Sequence, residues 1–87
     1  MAWKISIHKN AQIALKKLDK TIRQRIEKFI DELIDMEDPR TRGKGLTANR
    51  KGQWRYRVGD YRIICEIQDN VLIILVLEIA HRSEVYK

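Results

Sequence analysis

A chain of 87 residues has room for one compact domain around a single modest core, so any binding or catalytic group must share one scaffold. Hydrophobic residues at 44% and charged residues at 34% are the balance of a folded globular protein, which excludes a disordered chain; no apolar run reaches the roughly eighteen residues of a membrane span. The formal charge of +6 is concentrated, because Arg40, Arg42, Lys44, Arg50, Lys51, Arg55, Arg57 and Arg62 stand against Asp60 alone, leaving residues 40–62 at +7 and the remainder at −1. A field focused in this way draws in a polyanion and speeds its association, and nucleic acid is the commonest such partner.

Met1 to Lys9 lacks the apolar core of a signal peptide, and the lone Cys65 excludes an internal disulfide framework. No Cys or His cluster has zinc-ligand spacing. A reducing, cytoplasmic compartment is expected, with no membrane partner and no metal or other cofactor.

The elements follow in chain order. Trp3, Ile5 and Ile7 alternate with Lys4, Ser6 and His8, the period of a half-buried strand. Asn10 is a candidate cap for a helix whose Ala11, Ala14, Leu15 and Leu18 share one face. Thr21 and Gln24 have capping-box spacing, and Ile22, Ile26, Phe29, Ile30 and Leu33 form the apolar stripe of a second helix that ends by Pro39. Asp31, Glu32, Asp35, Glu37 and Asp38 crowd its C-terminal end, which costs helix stability; they read as a solvated face rather than a dock for the basic loop. RGKG at Arg42 to Gly45 reads as a flexible basic turn.

From Gln53 the period becomes two. Trp54, Tyr56 and Val58 point one way, Arg55 and Arg57 the other, and Gly59-Asp60 is a two-residue hairpin turn. Tyr61, Ile63, Cys65 and Ile67 then alternate with Arg62, Ile64 and Glu66. Asp69 and Asn70 turn the chain into Val71 to Ile79, which is apolar except for Glu78 and reads as a central strand. The expected fold is a single α+β domain over residues 1–87: an N-terminal strand, a helical hairpin and a three-stranded antiparallel meander, with the helices on one sheet face. Trp3, Trp54 and Cys65 are then core residues, and Arg55, Arg57 and Arg62 project from the other face, where His81, Arg82 and Tyr86 are expected to join them.

Arginine matches phosphate oxygens in a bidentate fork and stays charged, so such a group suits a phosphodiester and its more charged transition state. RNA brings its own nucleophile, the 2′-hydroxyl, so its cleavage needs positioning, charge stabilisation and proton transfer. Arginine is no base near neutrality, which leaves His81 and Tyr86 for the proton.

The segment LTANRKGQWRYRVGDYRIICEIQDNVLIILVLEIAHRSEVYK resembles the C-terminal half of RelE/ParE-superfamily toxins, above all in WRYRVGDYRI followed, after a hydrophobic strand, by HRSEVY. The element order extends the resemblance over nearly the whole chain. It implies a RelE-like toxin of a type II toxin–antitoxin system, an endoribonuclease that cuts messenger RNA in the ribosomal A site without metal. Its partners would be the message, the ribosome with its 16S rRNA, and a RelB-like antitoxin. By position, Arg62 resembles the arginine that holds the scissile phosphate, Arg82 a second transition-state arginine, and Tyr86 the tyrosine that positions or stacks on a base. Arg55 and Arg57 fall where the best-known RelE enzymes have lysines, one proposed as the general base, so His81 becomes the acid-base candidate. Lys44, Arg50 and Lys51 complete the expected RNA-binding set with Arg55 and Arg57. The ParE branch shares the fold but poisons DNA gyrase, and a non-toxic nucleic-acid-binding module is a further alternative.

Overall fold

The structure, a computed structural model, describes residues 3–81, Ala48 by its backbone alone. Its elements run β1 (Lys4–Ile7), α1 (Lys9–Lys17), α2 (Lys20–Ile34), a 3-10 turn at Pro39–Thr41, β2 (Lys44–Gly45), a second 3-10 turn at Ala48–Arg50, β3 (Gln53–Val58), β4 (Tyr61–Gln68) and β5 (Ile73–His81). The α+β class and the expected order of elements are found, with the strands forming one mixed sheet in the order β1-β5-β4-β3-β2. β1 lies parallel to β5, and the other pairings are antiparallel.

Both helices begin one residue or more earlier than the side-chain signals suggest. His8, not Asn10, caps α1: its Nδ1 accepts the Asn10 N–H at 3.2 Å. Asp19 caps α2 by accepting the Thr21 N–H at 3.1 Å, so Thr21 lies inside the helix. No helix among the described residues is long and apolar enough to cross a membrane.

The helices cover the sheet face formed by Tyr56, Ile63, Cys65, Ile74, Val76 and Ile79, and Ile26, Ile30 and Leu33 of α2 complete the core with Ala11 and Trp3. Burial of these side chains from water is the main stabilising term. Trp3 sits in that core, and its indole N–H donates to the Glu37 carbonyl at 3.3 Å. Trp54 packs against its edge. Cys65 is fully buried, and desolvation pushes its thiol up to about 12.

β5 contains the feature that sets the site. Ile64 pairs with Glu78, but Cys65 pairs with Val76, so Leu77 is an extra residue in the ladder. Before it, Ile74 and Val76 point into the core; after it, Ile79 does. A regular strand would have turned Glu78 and Ala80 toward the helices. The bulge turns both to the opposite face, and sends His81 to the helix side.

Candidate functional site

Strand alternation puts Arg55 and Arg57 of β3 and Arg62 of β4 on the face away from the helices, as expected. Arg57 is directly opposite Arg62, and Arg55 opposite Ile64. Two guanidinium groups at directly opposed positions can face one anion. Arg62 is buried, with 4% of its surface exposed, while Arg57 is exposed. The three arginines line one cleft of about 530 Å³ together with Arg42, Gly43, Lys44, Phe29 and Tyr56.

The second wall of the cleft is the loop leading into β2, where the expected turn Arg42 to Gly45 instead ends in a short strand paired with β3. Gly43 has φ +78°, and a Cβ there would lie 2.2 Å from the Arg55 carbonyl oxygen, so only glycine allows the loop to lie this close to β3. Lys44 pairs with Arg55 and Gly45 with Trp54 in a two-residue antiparallel strand. The Trp54 indole N–H donates to the Arg42 carbonyl at 2.6 Å.

Upstream, the Tyr56 hydroxyl donates to the Pro39 carbonyl at 2.7 Å, and burial pushes this phenol well above its ordinary range. Arg40 makes two hydrogen bonds of 2.7 Å to Asp69 in the β4–β5 turn. That paired geometry holds the Asp69 carboxyl below its usual range and raises the guanidinium in turn. Arg40, counted in the sequence among the cations of the basic segment, is therefore an anchor of the loop.

Arg42 is a cleft residue that sequence reasoning left out of the binding set. Its guanidinium carbon lies 5.7 Å from the centroid of the Phe29 ring, and its Nη1 donates to Glu32 at 3.4 Å. Phe29 in turn meets Tyr56 edge-on, with ring centroids 5.5 Å apart. The signal was available in part: Arg42 and Lys44 flank Gly43 at the spacing that places two residues on one side of an extended segment.

The remaining candidates are placed elsewhere. Arg50 pairs with Glu78 at 2.7 Å, both about half exposed, which holds the second 3-10 turn over the arginine-bearing face. Lys51 is exposed in the turn before β3 and does not line the cleft. His81 pairs with Tyr61, their rings edge to face at 5.2 Å, and lies with α1 residues Asn10, Ile13, Ala14 and Lys17 around a different pocket. The expectation that His81 joins Arg55, Arg57 and Arg62 is thus corrected: the bulge at Leu77 reverses its face. Arg82 and Tyr86 lie outside the described residues.

With this geometry, comparison with known proteins is decisive for the family. The model of the ParE toxin of type II toxin–antitoxin systems (parDE) matches residues 5–86. The chain belongs to this ParE toxin family. No curated protein matches it in sequence. Among solved structures, this ParE-family chain is similar to the RelBE2 toxin–antitoxin complex from Mycobacterium tuberculosis, with a TM-score of 0.84 and 25% identity over 94% of this chain and 100% of that one. It is also similar to the archaeal RelE–RelB complex from Pyrococcus horikoshii, with a TM-score of 0.75 and 29% identity over 95% of this chain and 98% of that one. A double arginine-to-alanine variant of Escherichia coli toxin RelE in the free state has the same fold, with a TM-score of 0.77 and 23% identity over 99% and 92% of the two chains.

Proposed function

We propose that this toxin acts as an endoribonuclease on ribosome-bound message, with the cleft between the β2 loop and β3–β4 holding the scissile phosphate. The observation that supports this most is the opposed Arg57–Arg62 pair, flanked by Arg55, Arg42 and Lys44 in one cleft. Two guanidinium groups at adjacent strand positions can grip non-bridging phosphate oxygens and oppose the extra charge that builds up as the 2′-oxygen attacks phosphorus. In that step the 2′-hydroxyl loses its proton, a bond forms from the 2′-oxygen to phosphorus, and the bond to the 5′-oxygen breaks. A 2′,3′-cyclic phosphate remains, and the departing 5′-oxygen takes up a proton.

Arg62 is assigned the scissile phosphate, Arg55 and Arg57 the flanking charge, and Lys44, Arg50 and Lys51 the RNA backbone on either side. Arg50 would exchange its exposed partner Glu78 for phosphate at little cost, since such surface pairs contribute only about 0–1 kcal/mol. Arg82 and Tyr86 keep the roles implied by resemblance, transition-state charge and base positioning. Proton transfer by His81 would require it to act from the other sheet face, so its side chain is the weakest member of the set. A RelB-like antitoxin is the proposed partner, because an acidic or amphipathic segment is the complement of this basic face. The proposed setting is the cytoplasm.

The family match itself favours a second reading, gyrase poisoning without RNA cleavage. Induction from a repressed promoter, with 5′ ends mapped on translated and untranslated copies of one message, separates the two. Cuts confined to the translated copy are expected. Intact messages with inhibited supercoiling would replace the ribonuclease by the gyrase poison.

A further inference from the structure

The cleft is larger than a phosphate requires and is not purely cationic. Its volume of about 530 Å³ is within the range of small-molecule sites, and two of its lining residues, Phe29 and Tyr56, are aromatic. Phe29 comes from α2, on the helix side, and reaches the cleft at the margin of β3, where the sheet has only the two-residue β2 as a neighbour. The Arg42 guanidinium lies over this ring and donates to Glu32, while the Trp54 indole N–H holds the Arg42 backbone carbonyl. The Arg42 side chain is 49% exposed and lines the cleft. Lys44, two residues on, stays at the same rim.

We propose that Arg42, backed by Phe29, forms a nucleobase subsite: a planar platform on which an unpaired RNA base stacks while Arg57 and Arg62 hold the phosphate attached to it. The inference rests on the ribonuclease reading and adds to it which part of the RNA enters the cleft. A guanidinium plane stacks on a base as an aromatic ring does, and single-stranded RNA is bound mainly through such contacts. Held against Phe29 and Glu32, the guanidinium loses less side-chain freedom on binding than a solvated arginine would. Lysine at the same place would supply the charge without the plane. Phe29 acts through Arg42 and through its edge contact with Tyr56, so it is a positioning residue.

The test uses short, labelled single-stranded RNAs blocked at the 2′-oxygens against cleavage, with an abasic nucleotide placed at each position in turn. Affinity is measured for the wild type, Arg42→Ala and Arg42→Lys. For the wild type, one abasic position is expected to weaken binding about tenfold, the range of a single base-stacking contact. Arg42→Ala and Arg42→Lys should bind the intact RNA about tenfold more weakly and should not distinguish the abasic RNA from the intact one. Equal abasic penalties in all three proteins, or none in any, would overturn the subsite while leaving the phosphate site in place. If the wild type bound no single-stranded RNA, or bound it as well after Arg57→Ala, the subsite would fall by itself; the ribonuclease reading falls only if message positioned on ribosomes is left uncut.

Discussion

Arg57 on β3 stands directly across from Arg62 on β4, two cations at a register position where opposed charges would stabilise the sheet. A pairing that offers a phosphate two forks from opposed strands predicts an effect on binding without one on folding. Arg57→Ala is expected to leave the melting temperature unchanged. It should also weaken single-stranded RNA binding about tenfold and reduce the slope of log affinity against log salt by about 0.7, one phosphate contact. Anisotropy titrations at several salt concentrations measure this; an unchanged slope would mean that Arg57 touches no phosphate.

Tyr56 couples the core to the basic loop, because its ring packs beside Phe29 and its hydroxyl donates to the Pro39 carbonyl. Tyr56→Phe should destabilise the protein by about 1–2 kcal/mol through an orphaned buried carbonyl, with the sheet otherwise intact. The raised phenol adds a pH signature. Folding favours its neutral form, so this contribution is complete below pH ~10 and is lost as pH rises through the folded value. Urea titrations from neutral to alkaline pH should show an extra loss in the wild type that Tyr56→Phe lacks.

Gly43→Ala meets two obstacles together, a positive φ and a Cβ placed 2.2 Å from the Arg55 carbonyl oxygen. The loop must move, at an expected cost of about 1–3 kcal/mol. Gly45→Ala faces only the Trp54 ring at 3.2 Å and should cost less. Urea midpoints and the near-ultraviolet circular dichroism of Trp54 distinguish the two; similar values for both variants would contradict the close approach of this wall to β3.

Cys65 is fully buried and its thiol is pushed up to about 12 by desolvation, so it stays neutral and unreactive in the native protein. A thiol reagent at neutral pH should modify it at the rate of unfolding. A raised thiol contributes stability that is whole below its unfolded value near pH ~8.5 and declines as pH rises through the folded one. Rapid labelling without denaturant would place Cys65 outside the core.

These particulars also show where the sequence was legible. Alternation in Trp54-Arg55-Tyr56-Arg57 and in Tyr61-Arg62-Ile63 specified which side chains meet the helices, because register places one set in the core. In β5 the phase was hidden. Leu75, Val76 and Leu77 are all apolar, so nothing in their chemistry marks Leu77 as the extra residue, and the face of Glu78, Ala80 and His81 depends on it. The loop wall was hidden for another reason: Arg40 finds Asp69 29 positions away, and Gly43 needs a neighbour that only the folded sheet supplies. Arg42 looked like one of several loop cations until Phe29 and Trp54 fixed it.

The central claim is that Arg62 and its neighbours hold the phosphate that is cut. Its most direct test is the single-turnover cleavage rate of a message positioned on purified ribosomes, for the wild type, Arg62→Lys and Arg62→Ala, with folding of each verified by circular dichroism. Cleavage by the wild type is expected, with a rate loss on the order of 10²-fold or more for Arg62→Ala and only partial recovery for Arg62→Lys, whose point charge lacks the bidentate fork. Cleavage at the wild-type rate by folded Arg62→Ala, or none by the wild type itself, would contradict it.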